Sequence, residues 1–358
     1  PAGYTVAMML AKKGFSTVLF EKDGYYTVEV SGNDKAGNGI QETFSETFHI
    51  DTLAPDIKIN GVENEKAYNG DVIPSVTITD TNLDTESVAV SVTGVKTGEN
   101  NKLKNTVTKE NGKVTIDFEG FPKTQKFDDI YNISVTAKDK SGNDIKAEKK
   151  FSVNRFGSTF ELDKATSALN KNYTTTPQDV VIREINVNSH KKDFTPILTL
   201  SKDGRGKTLV KGEHYELVEN NNPDDWADYE YIIFAENFAD DAVYELSMYT
   251  EDEAGNRNNT AAPLKETPDI SNVLLTFGVD KTRPKVNFLN AEENGSYRAD
   301  SMEFKVLVED NIMVRNVEVY VNNIKRDPES YTYDPQTQQC TFKVASSEEA
   351  QRIEVVPF

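Results

Sequence analysis

The chain has 358 residues, with 59 acidic against 40 basic side chains and a formal net charge of −19. That excess argues against a nucleic-acid backbone or an anionic membrane surface as partner, and the length is too great for one ordinary domain. A single cysteine, Cys340, rules out an intrachain disulfide, and no run approaches the ~20 apolar residues of a membrane-spanning helix.

Residues 1–21 differ from everything after them. They resemble the truncated start of a flavin- or nicotinamide-binding Rossmann domain, with Gly3 as the last glycine of G-x-G-x-x-G, Val6 to Leu10 as a helix face, Val18 to Phe20 as a strand and Glu21 as the ribose ligand. The first strand, the first two glycines and all later crossover helices are missing, so no dinucleotide crevice is expected. Gly3 and Glu21 are therefore not offered as site residues, and a flavin-binding oxidoreductase fragment is only a remote alternative. Residues 14–21 read instead as a late strand of a truncated sandwich, behind a frayed or helical leader at 1–13.

From Tyr26 a thirteen-residue pattern begins that recurs twice: YTVEVSGNDKAGN, then YNISVTAKDKSGN from Tyr131 and YELSMYTEDEAGN from Tyr244. The starting tyrosines lie 105 (131 − 26) and 113 (244 − 131) residues apart, about one immunoglobulin-like sandwich of roughly 100 residues per period. Val28 and Val30, Ile133 and Val135, and Leu246 and Met248 alternate with polar residues as in a half-buried strand, here strand F. The tyrosine takes the place of a tyrosine corner. Asp34, Asp139 and Asp252, with Gly37, Gly142 and Gly255 and with Asn38, Asn143 and Asn256, spell the hairpin turn into strand G.

Strand G ends each unit in F-x-[IV]-[DN]: Phe48 to Asp51, Phe151 to Asn154, Phe277 to Asp280. The predicted organisation is the end of one sandwich over 22–51, a complete one over 52–154, an elaborated one over 155–279 and a truncated one over 280–358. Pro55 and Pro284 stiffen two of the junctions. The second and fourth units agree further, Tyr68 to Asp71 matching Tyr297 to Asp300 and Val76, Ile78, Asp80 matching Val306, Val308, Asp310. The fold class is all-β: tandem immunoglobulin-like β-sandwiches with a short α/β-looking leader.

These elements resemble the bacterial immunoglobulin-like repeats of large surface proteins, particularly multi-module adhesin-type proteins of Gram-positive anaerobes. The resemblance covers residues 22–358. It implies export, attachment to the envelope or cell wall and a non-enzymatic structural and adhesive spacer, extended and monomeric. A host or cell-surface protein or glycan is the implied partner, with neither nucleic acid nor membrane insertion.

Candidate sites are few. His49, His190 and His214 form no metal-ligand spacing, and His49 is expected to face solvent. No serine stands in an activated elbow, so neither catalytic nor cofactor-binding residues are assigned. Acidic clusters near unit ends are candidate calcium ligands, namely Asp80 with Asp84, Asp224, Asp225 and Asp228, and Glu309 with Asp310, although a solvated acidic surface explains them as well. The 155–279 unit carries the longest loops, and its Trp226 either anchors a glycan or protein or folds back as a satellite core. A specific binding module there is the alternative to a pure spacer.

Overall fold

The computed structural model describes residues 20–39, 44–98, 103–220, 222, 224–259 and 274–358. Of the leader only Phe20 and Glu21 are included, so its Rossmann-like and late-strand readings lie outside the described residues. Among the described residues the regular structure is nearly all strand, with one short α-helix and three short 3-10 turns.

The first unit contributes β1 (Gly24–Val30) and β2 (Phe44–Ile50), paired antiparallel. The second runs through β3 (Asp56–Asn60), β4 (Lys66–Tyr68), β5 (Ser75–Thr79), β6 (Leu83–Gly94), β7 (Asn105–Glu110), β8 (Lys113–Phe118), β9 (Asp129–Asp139) and β10 (Asp144–Val153). They form two sheets, ordered β3-β5-β8-β7 and β4-β10-β9-β6, the arrangement of an immunoglobulin-like sandwich. The pattern in β9 explains the layering: Tyr131, Ile133, Val135 and Ala137 point inward and are buried, while Asn132, Ser134 and Thr136 alternate outward. Each fully buried aliphatic side chain of that face stabilises by roughly 1.5–3 kcal/mol.

The third unit holds β11 (Thr159–Leu162), a short helix α1 (Lys164–Leu169), β12 (Tyr173–Thr174), β13 (Val180–Asn186), β14 (Ile197–Lys202), β15 (Arg205–Thr208), β16 (Tyr215–Asn220), β17 (Ala227–Ile233), β18 (Ala242–Glu251), β19 (Arg257–Asn259) and β20 (Leu275–Val279). Its sheets are β11-β13-β17-β16 and β12-β20-β18-β14-β15, with β19 on β18. The fourth unit has β21 (Lys285–Phe288), β22 (Ser301–Glu309), β23 (Val317–Val321), β24 (Ile324–Lys325), β25 (Tyr331–Asp334), β26 (Gln339–Ala345) and β27 (Ile353–Pro357), in sheets β21-β22-β26-β25 and β24-β23-β27. Three hydrophobic clusters, one in each of the last three units, share no residue. Each of these three units thus packs its own core.

The repeated tyrosines are tyrosine corners. The hydroxyls of Tyr26, Tyr131 and Tyr244 donate to the carbonyls of Lys22, Phe127 and Asp240, each four residues back, at 2.7, 2.9 and 2.9 Å. A second corner recurs in the second and fourth units, where the hydroxyls of Tyr68 and Tyr297 accept the Glu63 and Glu292 amides at 2.8 and 2.7 Å.

Candidate functional site

The repeated residues converge on the joints between units. In each of the three joints, five residues separate the last strand of one unit from the first strand of the next: 51–55, 154–158 and 280–284. Such short connections leave the unit ends in contact, and polar side chains fill the contact.

Three residues before each corner tyrosine stands an aspartate that holds the outgoing linker. Asp23 accepts the Thr52 hydroxyl at 3.0 Å. Asp128 accepts the Arg155 and Phe156 amides at 2.6 and 3.0 Å and Arg155 Nε at 3.2 Å. Asp241 accepts the Lys281 and Thr282 amides, both at 3.1 Å. The Asp128–Arg155 pair is buried, and burial holds the Asp128 carboxyl above its ordinary range despite the guanidinium and both amides. The tyrosine pattern begins too late to include these aspartates, and aligning three further residues would have revealed them.

The turn after strand F is the receiving half of the joint. Gly37, Gly142 and Gly255 take φ of 85°, 94° and 85°, the left-handed region the turn requires. Asp139 accepts both the backbone and the side-chain N–H of Asn143, at 2.8 and 2.7 Å, and Asp252 does the same for Asn256 at 2.8 and 2.9 Å. The asparagine side chain then reaches across the joint: Asn143 Nδ2 donates to the Asp51 carbonyl at 3.0 Å, and Asn256 Nδ2 to the Asn154 carbonyl at 2.8 Å. In both cases the acceptor is the residue immediately after the preceding strand G.

The first two joints share one frame but differ in charge. At the first, Asp51, Asp80 and Asp139 each place a carboxylate oxygen within 4.8 Å of the others. Asp51 Oδ2 and Asn82 Oδ1 are buried there with no hydrogen-bond partner. At the second, the corresponding residues are Asn154, Asn186, Asp252 and Asn188. Asn154 Nδ2 donates to Asn186 Oδ1 at 2.7 Å, Asp252 Oδ2 at 3.0 Å and Asn188 Oδ1 at 3.2 Å. The register is fixed by paired contacts: the Asn82 amide bonds Asp80 Oδ1 as the Asn188 amide bonds Asn186 Oδ1, and Asn82 touches His49 as Asn188 touches Ser152. The Asn154 side-chain nitrogen thus stands among these oxygens at the second joint, where the first has the Asp51 carboxylate instead. Three carboxylates and an amide oxygen are the donor set of a hard divalent cation such as calcium. At the third joint Asp280 and Asp310 face one another. Burial first, and Asp310 next, raise the Asp280 carboxyl above its usual range, and Asp310 Oδ2 is buried without a partner.

The structure sorts the remaining candidates. Asp84 turns back to the Glu86 amide and does not join Asp80. Asp224, Asp225 and Asp228 pair with three different basic side chains, Lys150, Lys96 and Arg183, each at 2.6 Å, and they form no common cluster among the described residues. Trp226 folds back, its indole N–H donating to Asp129 Oδ1 at 2.7 Å. The middle unit's distinctive loop is therefore an arm laid on the second unit. His49 is half-buried, stacked on Tyr25 and bonded to Asn82 Nδ2, because the following unit covers the face expected to meet solvent.

One grouping resembles a triad. Buried Glu184 accepts the Ser158 and Tyr231 hydroxyls and meets His190 Nε2 at 3.0 Å. The carboxylate lies between serine and imidazole, so the imidazole cannot act as base on the hydroxyl, and Ser158 is itself buried.

No family model and no curated protein matches the sequence. Among solved structures, the tetra-tandem repeat from the extending region of a large adhesion protein is 15% identical with a TM-score of 0.37, covering 93% of this chain and 73% of that one. The I67–I69 fragment of titin is 8% identical with a TM-score of 0.28, over 85% of this chain and 98% of that one. Cadherin domains 3–6 of protocadherin gamma B2 give 8% and 0.28, over 95% and 89%. At such values the fold is judged from the sheet orders above.

Proposed function

We propose that the chain is a non-enzymatic, semi-rigid spacer of a bacterial cell-surface protein, exported and displayed outside the cell, in which calcium stiffens the first joint. The supporting observation is that joint itself. Asp51 from one unit and Asp80 and Asp139 from the next bring their carboxylates together, Asp51 Oδ2 is buried and unpartnered, and so is Oδ1 of Asn82, whose amide bonds Asp80. Without a cation the three carboxylates repel and the joint opens. With one, the ion bridges the two units. An affinity on the order of 10⁻⁴–10⁻³ M suits an extracellular module. Adhesion to a host or surface protein or glycan would then depend on the spacer's reach. The alternative, a dedicated binding module at 155–279, loses its most distinctive loop to the second joint.

Small-angle scattering of the chain in calcium and in chelator tests this reading. The expected result is an elongated particle whose maximum dimension falls or spreads when calcium is withdrawn, with Asp80→Asn giving one profile in both conditions. A profile identical in both conditions removes calcium from the account, and a compact particle removes the spacer.

A further inference from the structure

The second joint repeats the first position by position, with asparagine at two of the three acidic places. Asn154 stands for Asp51, Asn186 for Asp80, and Asp252 keeps the place of Asp139. The Asn154 carboxamide is buried, and its nitrogen lies within hydrogen-bond distance of Asn186 Oδ1, Asp252 Oδ2 and Asn188 Oδ1. Asn154 Oδ1 in turn accepts the Gly157 amide at 3.1 Å, which fixes the orientation of the group. Asp252 Oδ2 also receives Asn186 Nδ2 at 3.1 Å and Asn256 Nδ2 at 2.9 Å, so the one remaining carboxylate is fully surrounded by donors. The net charge of the socket changes from −3 to −1 (three aspartates against one), and that single charge is solvated by amides.

We infer that the second joint is a cation-free version of the same socket, with the Asn154 side-chain nitrogen in the place where the first joint holds its ion. The second and third units therefore move as one body whether or not calcium is present. This rests on the calcium reading of the first joint only for the contrast between the two. The rigidity of the second joint rests on its own contacts. An amide is part of the chain and cannot dissociate, so the lock is permanent. Further contacts that bypass the socket support it. Arg155 Nη2 reaches the Pro122 carbonyl at 2.7 Å, Trp226 bonds Asp129, and Lys96 and Lys150 pair with Asp225 and Asp224. The first joint has no counterpart to this arm among the described residues. Removing calcium thus bends the chain at a defined place, ahead of residue 56, and leaves 56–279 as a rigid segment.

Spin-label distances on the full chain test this. Labels at Glu29→Cys and Glu110→Cys report the first joint, and labels at Glu110→Cys and Lys207→Cys report the second. All three positions are exposed, whereas the native Cys340 is buried. The expected result is a narrow second-joint distribution that is the same in calcium and in chelator, with a first-joint distribution that broadens in chelator. A second-joint distribution that broadens in chelator overturns the inference. A first joint that ignores calcium while the second stays narrow defeats the calcium reading and leaves the amide lock standing. As a converse, Asn154→Asp combined with Asn186→Asp restores three carboxylates, so the second joint should become calcium-dependent. If that double variant stays narrow in chelator, the amide nitrogen is not what holds the joint.

Discussion

Arg155 offers the sharpest energetic test, because its guanidinium closes the second joint from inside the protein. Its side chain is 8% exposed and that of Asp128 3%. Arg155→Met keeps most of the aliphatic stem and removes three donors, those to Asp128 Oδ1 at 3.2 Å, the Phe121 carbonyl at 3.2 Å and the Pro122 carbonyl at 2.7 Å. Breaking a buried pair by deleting one partner costs about 3–5 kcal/mol. Asp128 retains two backbone amides, which places this case at the low end, about 3 kcal/mol. For a unit near 100 residues, 1 kcal/mol moves the melting temperature by about 4–8 °C, so the shift is roughly 12–24 °C. Differential scanning calorimetry of the whole chain is the assay. The transition of the second unit should fall by that amount, while that of the fourth unit, whose core shares no residue with it, stays in place. A shift below about 4 °C, corresponding to less than about 1 kcal/mol, or an equal shift of every transition, would refute the reasoning.

Other outcomes follow from the same contacts. Tyr244→Phe deletes the corner bond to the Asp240 carbonyl and should cost about 1 kcal/mol in a denaturant midpoint confined to the third unit; no change would mean that the corner is decorative. Trp226, the only tryptophan, reports on the second joint, so its emission should be indifferent to calcium but should shift in Asp129→Ala, and a calcium response would place the ion at the wrong joint. The Arg183 bond holds the Asp228 carboxyl below its ordinary range. A depressed folded-state value contributes stability above the unfolded value, near 3.8, that is lost as pH falls through the folded one. Arg183→Leu should therefore raise the acid-unfolding midpoint of the third unit while changing its neutral-pH stability by no more than about 1 kcal/mol, the pair being part-exposed. An unchanged acid midpoint would count against the pair.

What was legible in the sequence was local. A corner tyrosine bonds four residues back and a turn aspartate four residues ahead, so one thirteen-residue window contains the turn and the tyrosine of the corner, and the alternation in β9 and β18 fixes which side chains enter the core. The joints were not legible in this way. Asn143 meets Asp51 across 92 positions, and nothing near either residue signals the other. Sequence shows an acidic cluster only where carboxylates are neighbours along the chain, whereas of those candidates only Asp80 enters the socket, and Asp51 arrives from the linker after β2 and Asp139 from the end of β9. Trp226 was undecidable because its partner lies on another unit. One usable signal was present all along: the exit residue reads Asp51, Asn154, Asp280, and exchange of Asp for Asn at a repeated position changes the charge of a site without changing its shape.

The most direct measurement is a calorimetric calcium titration of the wild-type chain beside Asp51→Asn, which installs at the first joint the residue found at the second. If calcium bridges the first joint, the wild type binds one ion more than the variant, with an affinity on the order of 10⁻⁴–10⁻³ M, and the variant's first joint no longer responds to chelator. Superimposable isotherms would contradict the account, leaving the three carboxylates as an acidic surface between units that calcium does not join.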